Sequence, residues 1–203
     1  MMTQQDFQHY VDKYSGTIEE IREHAHMLHD SVNQRYDENH PYSVHLDMVA
    51  DLVLKYGHLV CQQEADVLPL FFGAFYHDSI EDARMTYNDV KKGAALFMSD
   101  EQAYQAAEMV YALTNEKGRT RAERSNDRYY AGIRETPYAP FLKLADRLAN
   151  ITYSCSMSNR INNHMKEVYK NELPHFLESI NPHSDDPRKL LPQVMIDEIN
   201  RQL

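Results

Sequence analysis

Apolar positions recur along the chain at helical spacing, and no long stretch alternates in the manner of a strand. Residues 3–14 place Phe7, Tyr10, Val11 and Tyr14 on one side of a short helix, which Ser15 and Gly16 break. Thr17 and Glu20 have the spacing of a capping box. They open a long helix to about residue 36, with Ile21, Ala25, Leu28 and Val32 as its apolar stripe. Residues 35–42 are polar and end at a proline, so they read as a loop. The next helix covers 43–56, with Gly57 as its C-cap. Asp66 caps a helix over 67–76, with Pro69 tolerated in its first turn. Thr86 starts another, leading through Val90, Ala94, Leu96 and Phe97, and 100–113 forms the next. After a turn at 114–118 comes a charged stretch, 120–135, that Pro137 closes off. Residues 139–154 form the most apolar late helix, followed by helices over 162–177 and 191–203 with a loop at 181–187 between them. The expected fold is all-α: a single-domain helical bundle in which helices within 1–34 pack on a core carried by 35–180, and 181–203 add a loop and a short helix.

Composition narrows the class. A chain of 203 residues, 42% hydrophobic and 26% charged, suits a globular domain with a substantial core. No apolar run approaches the roughly 20 residues that span a bilayer. The first residues lack a basic segment followed by an apolar one. Cys61 and Cys155 are too few for a disulfide framework or a cysteine metal knuckle. A cytoplasmic protein that engages no membrane is expected, with oligomerisation left open. The net charge of −10 argues against duplex nucleic acid as a partner, since phosphate contacts need a basic surface. A small phosphorylated ligand remains compatible, because a local Lys/Arg cluster can outweigh the mean.

The densest chemistry is at 75–82. His77-Asp78 closes an apolar run, and Glu81 and Asp82 follow four residues after each. If the stretch stays near-helical, His77 and Glu81 share one face and Asp78 and Asp82 the adjacent one. Acids crowded at the end of a buried helix need pairing or a cation. Elsewhere, His45 lies in the first turn of its helix, and Asp146 sits inside the 139–154 run with Lys143, Arg147 and Asn150 around it. Two imidazoles and two carboxylates suit a mid-series divalent ion: Mn²⁺ first, with Fe²⁺ and Zn²⁺ as the other choices. A lone histidine is more often structural than a ligand. For His24, His26 and His29, solvent-facing or hydrogen-bonded roles are preferred. The arginines of 120–135 read first as a solvated face.

Three segments carry a resemblance. Pro41-Tyr42-Ser43-Val44-His45, His77-Asp78-Ser79-Ile80-Glu81-Asp82 and Lys143-Leu144-Ala145-Asp146-Arg147-Leu148-Ala149-Asn150 stand in the order of the HD metallo-phosphohydrolase superfamily. They are most similar to the hydrolase domain of the RelA/SpoT family and its stand-alone small alarmone hydrolases. The resemblance spans about residues 35–154 and implies an HD-domain helical bundle. No histidine lies between His77 and His164, which favours one metal ion over two. The resemblance implies His45, His77, Asp78 and Asp146 as metal ligands and Glu81 and Asp82 as the groups that orient water or take its proton. It implies Arg35, Lys143 and Asn150 as substrate contacts, with the Arg121 to Arg128 set as further candidates for pyrophosphate. The implied reaction removes the 3′-pyrophosphate from guanosine tetra- or pentaphosphate, in a chain too short to hold a synthesising domain as well. The family's Thr after Glu-Asp is Ala83 here. Two other readings stay open: a mononuclear HD phosphatase acting on another nucleotide, and a non-catalytic nucleotide-binding sensor.

Overall fold

In the computed structural model of the chain, the helix Val67–Tyr76 (α4) is the axis of the molecule: each of its residues is buried. A helix that is apolar all round is stable only when neighbours cover every face. Here they are α2 (Ser15–Ser31) and α3 (Ser43–Tyr56) on the N-terminal side, and α6 (Tyr87–Ala94) and α7 (Asp100–Leu113) on the other. The second organising element is α10 (Ala139–Ser156), which packs against α3 and α7 and also carries α9 (Asp127–Glu135), α11 (Arg160–Ile180) and α12 (Gln193–Gln202). Short helices α1 (Gln4–Lys13), α5 (Ser79–Asp82) and α8 (Arg121–Arg124) complete the set. The structure describes residues 2–156 and 160–203, with only the backbone for Ala122, Arg160 and Asn162. Among the described residues the only β feature is one bridge between Arg35 and Pro41.

This is an all-α bundle with one core. Phe7 of α1, Ile21 and Ala25 of α2, and Met195 and Ile199 of α12 join the same buried cluster as α4 and α10. The flanking segments are thus parts of one packed unit. Among the described residues, no helix is long and apolar enough to cross a membrane.

Several boundaries differ from expectation, each for a local reason. Ser15 and Gly16 do not interrupt the chain beyond Tyr14. They form the first turn of α2, and Thr17 lies inside the helix instead of capping it. α2 stops at Ser31, not near 36, because Asn33 takes a left-handed backbone (φ 55°). Asparagine tolerates that region better than most residues. Gly57 is not a left-handed cap: its φ is −57°, and its value is space. A Cβ there would meet the Phe7 ring at 2.6 Å. Asp66 makes no side-chain cap bond to α4; it ends the single turn before α4 and accepts from the backbone N–H of Gln63, the residue that caps that turn. α6 ends at Ala94, before Leu96 and Phe97. The charged stretch 120–135 divides into α8 and α9 because Thr120 and Asn126 each cap a new start. The helix start expected at Thr86 and the helix expected over 100–113 are both present, and each opens with a capping box, Thr86 with Asp89 and Ser99 with Gln102.

Candidate metal centre

The chain brings α3, the end of α4 and the middle of α10 to one point. His45 Nε2, His77 Nε2 and Asp146 Oδ1 converge there: the two ring nitrogens are 3.1 Å apart, and the carboxylate oxygen is 3.3 Å from that of His45 and 4.0 Å from that of His77. All three ligand atoms fit within 4.8 Å of one another. Asp78 joins from the side, its Oδ2 2.9 Å from His77 Nε2 and 3.7 Å from His45 Nε2. Both histidines are buried.

Local folding explains the aim of each group. The helix ends at His77, and Asp78 leaves helical geometry (φ −102°, ψ 5°) to start α5. The break turns the Asp78 carboxylate back toward the imidazoles. It also separates His77 from Glu81. His77 is buried, whereas Glu81 is exposed and accepts hydrogen bonds from the Asn115 backbone N–H (2.6 Å) and side-chain amide (3.0 Å). The pair does not share a face, because the helix that would have aligned them is interrupted. Asp82 stays half-buried near Asp78. Burial and the Asp78 charge raise its carboxyl to about 6.

The residues present fit a divalent cation. His77 Nδ1 lies 2.8 Å from the Ala74 carbonyl, a contact that only a protonated Nδ1 satisfies. The neutral ring then turns its Nε2 lone pair toward the cluster, the orientation that partners behind a metal ligand impose. His45 Nδ1 finds no hydrogen-bond partner among the described residues. Burial alone would depress the His77 imidazole, but the Asp78 and Asp146 carboxylates raise it to about 9. Against the cost of burial, His77 holds Asp78, and Lys143 with the histidines holds Asp146, below the usual carboxylate range. The centre of the cluster attracts positive charge, and a proton and a metal ion would compete for it.

A second ring of residues fixes the first. Lys143 Nζ donates to Asp146 Oδ2 at 2.9 Å, and Asn150 Nδ2 donates to Asp146 Oδ1 at 2.6 Å. Tyr36 Oη donates to Asn150 Oδ1 at 2.9 Å, and its ring stacks on His45. The Tyr42 hydroxyl donates to Asp78. His29 is fully buried, with neither ring nitrogen partnered among the described residues, and stacks on Tyr42 with centroids 4.8 Å apart. It is neither solvent-facing nor hydrogen-bonded. His24 and His26 do bond, to Tyr76 and Asp47. The roles of Tyr36 and Tyr42 were missed in the sequence. For Tyr42 a signal existed, since it stands three residues before His45 on the same helical face.

Asp146 opens onto a recess of about 170 Å³ lined by Arg121, Arg124, Lys143, Arg147 and Asn150 among others. Lys143 and Asn150 therefore bond the cluster's Asp146 and also line the recess. Arg35 does not line it: the side chain is exposed and turns back to the carbonyls of Asp37 and Glu38 in its own loop. Arg128 is also turned away, 84% exposed and 3.4 Å from Glu116. Comparisons with protein-family models, with curated proteins and with solved structures find no match to this chain.

Proposed function

We propose that the protein is a metal-dependent phosphohydrolase acting on a phosphorylated nucleotide, with guanosine 3′,5′-bis(diphosphate) as the leading substrate and pyrophosphate as a product. The observation that carries this reading is the meeting of His45, His77 and Asp146, with Asp78 beside them, at the edge of a recess rich in cationic side chains. The named substrate rests on the motif resemblance.

His45, His77, Asp78 and Asp146 would hold the ion, Mn²⁺ by preference. When bound, it would supply Lewis acidity for a phosphoryl oxygen and for water. The remaining work falls to the chain. Lys143 and Asn150 hold the Asp146 carboxylate in place, and Tyr42 holds Asp78. Asp82, with its carboxyl raised to about 6, is suited to accept a proton near neutral pH. Glu81 is committed to Asn115, so it positions the loop that leads to the arginines. Arg121 and Arg124 supply charge for phosphate oxygens at the recess.

The test is incubation of Mn²⁺-loaded protein with guanosine 3′,5′-bis(diphosphate), with products resolved by ion exchange. GDP and pyrophosphate are expected. Absence of turnover on this and a wider nucleotide panel would overturn the reading, and release of inorganic phosphate from another nucleotide would redirect it to that substrate. Asp82→Asn is expected to lower the turnover number by ~10²–10⁴, the worth of a proton-transfer group.

A further inference from the structure

One ion pair beside the recess has the form of an occupied anion seat. A single carboxylate oxygen, Glu172 Oε2, lies 3.0 Å from Arg121 Nη2 and 3.2 Å from Arg147 Nη1. Arg147 is buried, its guanidinium 4.1 Å from the Phe176 ring centroid and 4.9 Å from that of Tyr169. A buried cation demands an anion at all times. Arg121 is half-exposed on the one-turn helix α8, and Glu172 comes from α11. The Arg121–Glu172 pair thus ties α8 to α11. Arg121 and Arg147 line both the recess at Asp146 and an adjoining cavity of about 520 Å³, which Glu172 also lines. The larger cavity has the size of an ordinary small-molecule site.

Resting on the phosphohydrolase reading, we propose that Glu172 is a built-in stand-in for a phosphate of the substrate. A phosphate group distant from the reacting one takes the place of Glu172 between Arg121 and Arg147, and the released carboxylate frees α8 from α11. The two guanidinium groups suit this exchange, since planar N–H forks bind phosphate as readily as carboxylate. Arg147 keeps an anion in both states. The device selects for ligands bearing a second phosphate, because a ligand with one phosphate at the metal centre leaves Glu172 in possession of the seat.

The test uses metal-free protein and inorganic pyrophosphate as the probe, with affinity measured by calorimetry. Glu172→Gln removes the competing charge while keeping the shape, and it is expected to bind pyrophosphate about 10-fold more tightly, equivalent to about 1.4 kcal/mol. Glu172→Ala should tighten binding as well, and adding Arg121→Gln should abolish the gain. Unchanged or weakened binding in both Glu172 variants would overturn the proposal and leave the carboxylate as a structural tie. Glu172 is partly exposed, so neither variant opens a cavity in the core, and because each leaves Arg147 without its carboxylate, circular dichroism of the free variants is required to match the wild type before binding is compared. The two readings fail separately. Tighter pyrophosphate binding by Glu172→Gln with no turnover of any nucleotide keeps the seat and removes the hydrolase. Turnover with unaltered pyrophosphate affinity does the reverse.

Discussion

His29 shows what a single buried ring does to the stability of this protein. Burial lowers its imidazole from 6.5 to about 4, with the neighbouring Asp78 charge offsetting part of the effect. The folded chain therefore holds the ring neutral where the unfolded chain protonates it. The stability it contributes is fully present above pH 6.5 and is lost as the pH falls toward 4, on the order of 3 kcal/mol in all. His29→Phe keeps the stack on Tyr42 and removes the titration. Urea unfolding at pH 7.5 and 4.5 should show the wild type losing more stability than the variant by that order. Identical losses would mean that the unpaired ring is not what makes the protein acid-sensitive. The reason the sequence could not single out His29 is physical: His24, His26 and His29 share a helix, and only the packing of α2 on α4 and α3 decides which ring meets a hydroxyl, a carboxylate or an aromatic face.

At the scale of elements, periodicity located most helices and missed their ends. The apolar stripes of α3, α4, α7 and α10 are long and regular, and the expected spans agree with the observed ones to within a few residues. The errors fall where a short-range signal competes with tertiary contacts. Ser15 and Gly16 read as a break, yet α1 and α2 dock on the core so closely that one residue, Tyr14, suffices between them. Phe7 is the anchor, stacked on Phe71 with centroids 6.4 Å apart and seated over Gly57. Phe7→Ala should cost about 3–5 kcal/mol, the range for deleting a buried aromatic ring. Chemical denaturation checks this, and a loss below 1 kcal/mol would show α1 to be a dispensable appendage. The division of 120–135 into α8 and α9 matters more, because it sets Arg121 and Arg128 on separate elements: one faces Glu172 and the recess, the other faces solvent.

Across the whole molecule, the net charge and the site pull in opposite directions. A chain of −10 gathers Arg121, Arg124, Lys143 and Arg147 at one recess and places an acidic cluster beside it. Such an arrangement accepts an anionic ligand only through local potential. On the proposed reading, a divalent cation should stabilise the fold as a whole, since it would bind groups from three helices that unfolding disperses. Mn²⁺ at 100 times its dissociation constant should add about 2.7 kcal/mol. The melting temperature should rise with added Mn²⁺, fall back with EDTA, and respond no longer in Asp146→Asn. An equal rise in that variant would place the ion elsewhere.

The sequence by itself determined the helical class, the apolar axis of α4, and the identity of the imidazole and carboxylate candidates, because each depends on residue type and local spacing. Tertiary structure alone decided which of them meet. His45, His77 and Asp146 are brought together by the packing of α3, α4 and α10, contacts that join residues as much as 101 positions apart (146 − 45). Glu81, Arg35 and Arg128 were candidates by residue type as well, yet they turn to Asn115, to the loop at 37–38 and to Glu116 respectively, since side-chain direction follows from where each helix stops and what it packs against.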